Sequence, residues 1–257
     1  MTEPAAADGD SPHAPEPGRV TAVVPLRDGA SGKSRLATAL EPAARRRLVV
    51  ALARHVLGVL DDAASVGRVV VVTADVDFAR EVLDDGPGHV GRSSSTRQFD
   101  VPRRRPAADV IAEPPGRPGL NAALEHARRH VAGDAGDADS PDGLDGPGAD
   151  RLLVVHADLP LLTPADVDAV ATARADVVVA TDRHGTGTNL LAVPRVGDHA
   201  FRFGAGSRAA HEAEATRHGL RAAVVLRPGT AADLDTIDDV AELPHAVRDR
   251  LVGTVRP

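Results

Sequence analysis

The chain has no cysteine, tryptophan or tyrosine, one methionine and four phenylalanines. Without thiols it can form neither disulfides nor thiolate metal centres, and it has no cysteine nucleophile. Any metal must be held by oxygen or imidazole. The scarcity of rings removes the stacking platforms on which single strands of nucleic acid are held. A net charge of −7 and the lack of a clustered Lys/Arg stripe argue in the same direction, against a nucleic-acid surface. Long apolar runs are also missing. Residues 69–72 and 152–155 are far short of the roughly 20 apolar residues that span a bilayer, so no membrane segment is expected. Residues 1–18 carry Glu3, Asp8, Asp10 and Glu16 without a basic start or an apolar stretch. They read as a disordered tail and not as a secretion signal, which leaves a cytoplasmic location as the expectation.

Lysine is nearly absent too: Lys33 is the only Lys among thirty basic residues. The Ala/Arg/Gly/Asp/Val bias resembles that of a GC-rich genome. A Lys that survives such a bias marks either a site needing a compact ammonium that Arg cannot replace, or chance.

What is present is a hydrophobic share of 42% in 257 residues, enough for one large α/β domain. Short β-branched runs alternate with helical patterns. Strands are expected at 20–25, 69–73, 109–112, 152–155, 177–181, 189–193 and 222–226. Helices are expected at 42–62, 76–83, 120–131 and 207–218, with further ones near the C-terminus. Asp75 and the pair Thr163-Pro164 supply helix starts, and Gly219 a helix stop. This pattern predicts a mostly parallel central sheet with helices on both faces, in a single domain over 19–257. Irregular insertions are expected near 86–107 and 133–150, where Gly, Pro, Ser, Asp and Arg follow no period.

The loop after the first strand, PLRDGASGKSRL, tempts toward a phosphate-binding P-loop, but that fingerprint needs a Gly five residues before Gly32, where Arg27 stands. What remains is a loop carrying Arg27, Lys33 and Arg35 at the carboxyl end of a strand, where open α/β sheets bind ligands. It is either a triphosphate cradle or a solvated basic loop. Asp158 ends LLVVHADLP and Asp235 lies in AADLDT, and both could hold Mg²⁺ at the sheet edge. Asp235, with Asp238 three residues on, could instead cap the next helix. His156 shares a strand face with Asp158, yet one imidazole without a second more often belongs to ordinary structure. Both DRHGTGTNLL and RFGAGSRAA, the latter with Ser207 as an expected helix cap, read either as turns or as an anion site at a helix start.

The order of these pieces is more specific than any one of them. PLRDGASGKSRL, PGLNAALEHA, VVHADLPLLTPADV, DRHGTGTNLL, RFGAGS and DLDT together resemble the phosphoenolpyruvate or 2-phospho-L-lactate guanylyltransferases of coenzyme F-420 biosynthesis, over residues 20–243. That family is similar to the glycosyltransferase-A-like, Rossmann-related nucleotidyltransferases. The resemblance implies transfer of GMP from GTP to a small phosphorylated carboxylic acid with release of pyrophosphate. The composition, which hints at an actinobacterial source, favours phosphoenolpyruvate as that acid. By position, the resemblance implies that Asp158 and Asp235 bind Mg²⁺, and that Lys33 meets the GTP phosphates. It further implies Leu26, Gly119 and Asn121 beside the nucleotide, and Thr188, Gly204 and Ser207 on the phosphorylated acid. The next enzyme of the pathway becomes a candidate partner. Arg27 departs from the family, where Lys is common. The rival readings are a molybdopterin or sugar-phosphate nucleotidyltransferase of the same fold and a non-catalytic GTP-binding regulatory module.

Overall fold

In the computed structural model, residues 20–28, 39–84, 108–134 and 151–255 are described. Lys33 and Arg35, the tail at 1–18 and nearly all of both expected insertions lie outside them. The exception is 133–134, which extend a helix.

Among the described residues seven strands form one sheet: β1 (Val20–Leu26), β2 (Val66–Thr73), β3 (Ala108–Ala112), β4 (Arg151–Val155), β5 (Val177–Ala180), β6 (Leu190–Pro194) and β7 (Ala222–Val225). Their order is β3-β2-β1-β4-β6-β5-β7. All neighbouring pairs are parallel except those involving β6, which runs antiparallel to β4 and β5. The reversal follows from chain length. Residues 181–189 are too few for the dozen or so that a parallel crossover requires, so the chain turns back on itself.

The strands are buried on both faces, as their near-continuous Val/Leu runs require. Side chains alternate between two layers. Val24, Val71, Leu153 and Val155 face one cluster, together with α1 (Pro42–Asp62), α2 (Val76–Asp84) and α4 (Pro164–Ala171). Val23, Val70, Leu152 and Val154 face the other, which holds α3 (Leu120–Asp134) and Ala215 of α5 (Ser207–Arg217). A third cluster joins Leu48 and Leu52 of α1 to Leu234, to Val240 of α7 (Ile237–Glu242) and to Leu251 of α8 (His245–Val255). The short α6 (Pro228–Ala231) precedes Leu234. No helix among the described residues is long and apolar enough to cross a membrane.

The helix starts follow side-chain chemistry. Asp75 Oδ1 accepts from Phe78 N at 2.9 Å. Thr163 and Asp166 close a reciprocal capping box on α4, with Pro164 in the first turn. Thr236 and Asp239 do the same on α7. The cap of α7 is therefore Thr236, and the capping role considered for Asp235 with Asp238 is filled by its neighbours.

Candidate active site

β1 is followed in space by β2 and β3 on one side and by β4 on the other, so the strand order reverses between β1 and β4. Crevices at such switch points, beyond the carboxyl ends of the strands, are where open α/β sheets bind ligands. A cavity of about 280 Å³ opens there. Pro25, Leu26 and Arg27 line it from the end of β1, and His156, Ala157 and Asp158 from the end of β4. Asp235 closes one side and Leu120 another. Arg27 is half exposed and pairs with Glu113 at 3.7 Å.

Asp235 reaches this cavity through backbone bonding. The buried Asn189 donates from Nδ2 to Thr230 O at 2.9 Å and to Asp233 Oδ1 at 3.2 Å. The Asn189 backbone in turn bonds Ala180 O and His156 N, so this residue fastens segment 230–233 to the ends of β4 and β5. Leu234, fully buried against α1, donates its N–H to Asp158 O at 3.0 Å. Asp158 and Asp235 are thereby brought onto one cavity. Burial lifts the Asp233 carboxyl above its ordinary value; the hydrogen bond from Asn189 opposes this, and the nearby Asp158 and Asp235 add to it. The corner is rich in negative charge.

A second polar centre lies alongside. Ser207 Oγ and Thr188 Oγ1 are 3.1 Å apart, and both residues are buried. Ser207 is not the helix cap it was expected to be. Gly206 takes that position with φ 69°, and Gly204 precedes it with φ 136°, left-handed values that favour glycine. The Ser207 hydroxyl is turned to Thr188 instead. Thr188 is also within 3.1 Å of His211 Nδ1, and His211 Nε2 accepts from Arg202 N at 3.0 Å. Burial, and secondarily His156, press the His211 imidazole down to about 4.

Thr188 and Ser207 do not line the main cavity; a chain of rings connects them to it. His156, on the cavity wall, lies 5.2 Å from Phe203, and His211 meets the edge of the same ring at 4.7 Å. Asn121, expected beside the nucleotide, exchanges two hydrogen bonds with the Phe203 backbone, at 2.8 and 3.0 Å. It thus fixes the RFGAGS turn against α3. Gly119, with φ 122°, immediately precedes that helix.

Residues 142–248 match the family described as guanylyl transferase CofC like. The chain is 34% identical to the phosphoenolpyruvate guanylyltransferase of Rubrobacter xylanophilus, over 87% of this chain and 93% of that one. The chain belongs to the CofC-like guanylyl transferases. It is 30% identical to the 2-phospho-L-lactate guanylyltransferase of Methanothermobacter thermautotrophicus, covering 88% and 84% of the two chains. The fold agrees as well. A nucleotidyl transferase structure from the latter organism superposes with a TM-score of 0.54 at 19% identity, over 92% of this chain and 99% of that one.

As a CofC-like guanylyl transferase the chain is a nucleotidyltransferase, and the reading as a non-catalytic binding module falls away. Its reaction needs positions for two anionic substrates, and the molecule offers two adjoining polar centres. Three contributors escaped the sequence reading: Asn189, Asp233 and His211. His211 follows Ser207 by four residues, one helical turn, and that spacing was the available signal. Asn189 and Asp233 gave none, because their partners are distant in sequence.

Proposed function

We propose that this chain transfers GMP from GTP to phosphoenolpyruvate, releasing pyrophosphate, as a cytoplasmic step of coenzyme F-420 biosynthesis. The observation that carries this reading is the meeting of Asp158 and Asp235 on one cavity at the β1–β4 switch point, beside the Thr188–Ser207 corner. A phosphate oxygen of the acid attacks the α-phosphorus of GTP, and the bond from that phosphorus to the β-phosphate oxygen breaks. Since the ionised acceptor phosphate is already a nucleophile, no general base is needed. The protein's work is alignment and charge compensation.

The carboxylates fit Mg²⁺. They crowd negative charge at the cavity with hard oxygen donors. That donor set suits an ion that keeps substrate phosphates and water in its shell. Asp158 and Asp235 would hold it, and it would offset the charge developing on the phosphates. Lys33, in the loop after β1, would add a cation to the triphosphate, and Leu26 would border the nucleotide. Thr188, Ser207 and the glycine-shaped turn at Gly204 would receive the acid.

The test is pyrophosphate release with GTP and each of phosphoenolpyruvate, 2-phospho-L-lactate and 3-phosphoglycerate. The expected result is fastest turnover with phosphoenolpyruvate and little with ATP in place of GTP. Preference for 2-phospho-L-lactate would move the acceptor assignment, and no turnover with any acid would end the reading.

A further inference from the structure

The Arg202 backbone N–H can only donate, and it points at His211 Nε2 at 3.0 Å. That nitrogen must therefore carry a lone pair, and in a neutral imidazole the proton then resides on Nδ1. Nδ1 lies 3.1 Å from Thr188 Oγ1, so His211 donates and Thr188 accepts. A ring flip would set a C–H against the Arg202 N–H, and the edge contact with Phe203 further restrains the ring.

The hydrogen count follows. Thr188 and Ser207 own two hydroxyl hydrogens, and one is used between them at 3.1 Å. The other cannot go to His211, because His211 is itself a donor there. Among the described residues neither hydroxyl has another acceptor. One O–H is left over, and its acceptor lies beyond the described residues. With the opposite tautomer Nδ1 would absorb that hydrogen and the pair would offer nothing.

From this we infer that His211 is a positioning residue: it acts through Thr188 to hold the Thr188–Ser207 pair as a hydrogen-bond donor to an anionic oxygen of the phosphorylated acid. This rests on the reading that Thr188 and Ser207 receive the acid, and it adds a residue, a tautomer and a direction of donation to that reading. His211 does not touch the acid itself.

Three variants and one spectrum test it in the full-length enzyme. His211→Phe keeps the ring volume but loses the N–H, and His211→Asn offers an amide N–H close to the place of Nδ1. His211→Phe should raise the KM for phosphoenolpyruvate about tenfold or more, the scale of one hydrogen bond to a charged group, with the KM for GTP within about twofold of wild type. His211→Asn should restore most of the loss. Thr188→Val controls for the underlying reading. If Thr188→Val leaves the acid KM unchanged, the acid does not meet this pair and the reading itself fails. If Thr188→Val raises that KM while His211→Phe does not, the role of His211 is overturned. Should the His211 variants fail to fold, the wild-type tautomer still decides: long-range proton–nitrogen spectra should show His211 protonated on Nδ1, and protonation on Nε2 refutes the proposal.

Discussion

At the carboxyl ends of β1 and β4 charged side chains face an open cavity, whereas around His211 the polar atoms are largely consumed by one another. In the first region His156 Nε2 is buried with no hydrogen-bond partner among the described residues, and two carboxylates, Asp158 and Asp235, lie near enough to raise the titration of Asp233. In the second, Glu214 alone takes hydrogen bonds from Ala200 N, Arg202 Nε and Arg217, which hold its carboxyl down to about 2. Arg128 is likewise buried between Glu125 and the His199 carbonyl. The contrast teaches where preorganisation lies. The cavity concentrates charge that substrates and a cation would complete, while the polar atoms of the corner are mostly paired within the protein and hold one remaining hydroxyl hydrogen in a fixed pattern.

The sharpest way to break this comparison is to remove charge from the cavity. Asp158→Asn and Asp235→Asn preserve shape, so thermal unfolding should change little, while pyrophosphate release falls about 100-fold or more, the scale of a lost charge stabilisation. Normal rates in either variant would show that the carboxylate is not part of the chemistry.

The next largest effect should come from the support beneath Asp235. A Cβ on Gly229 would lie 2.6 Å from the Leu161 carbonyl oxygen and also meet the Asp166 carboxylate. Backbone cannot yield cheaply, so Gly229→Ala should cost about 1–3 kcal/mol in denaturant unfolding and lower turnover by shifting segment 230–235. Unchanged stability would mean that this segment is loosely held.

A smaller effect separates the regions by pH. His199 and His211 are both pressed down to about 4, chiefly by burial, whereas an unfolded His titrates near 6.5. Between those values the unfolded chain binds more protons than the folded one. The stability these residues contribute is thus fully present above about pH 6.5 and is lost as the pH falls toward 4. Urea midpoints should drop over that window, and His199→Gln should flatten the slope. An equal slope in the variant would assign the acid sensitivity elsewhere.

Ser207→Ala should give a modest change in stability. Because Gly206, not Ser207, is the cap, the loss is that of one buried hydrogen bond, about 0.5–1.5 kcal/mol, while the KM for the phosphorylated acid rises. A normal acid KM would detach the serine from the acceptor.

Much of this was readable from local pattern. The helix 42–62 and the starts at Asp75 and Thr163 follow from period and cap chemistry, which need only neighbours in sequence. Asp158 and Asp235 could be proposed because each follows a strand-forming segment. The antiparallel turn of β6 was not foreseen, although the short 181–189 connection carried the hint.

The sequence by itself determined the alternating elements, the burial of both sheet faces and the identity of the chemical groups, since these depend on composition and periods of two and 3.6 residues. Tertiary structure alone decided which groups meet. That Asn189 fastens 230–233 to the sheet, that Thr236 relieves Asp235 of capping, and that Arg202 fixes the tautomer of His211 are contacts between residues distant in sequence or set by loop geometry. Hydrogen-bond direction and shared cavities are properties of distance and angle, which the order of residues does not carry until the chain has folded.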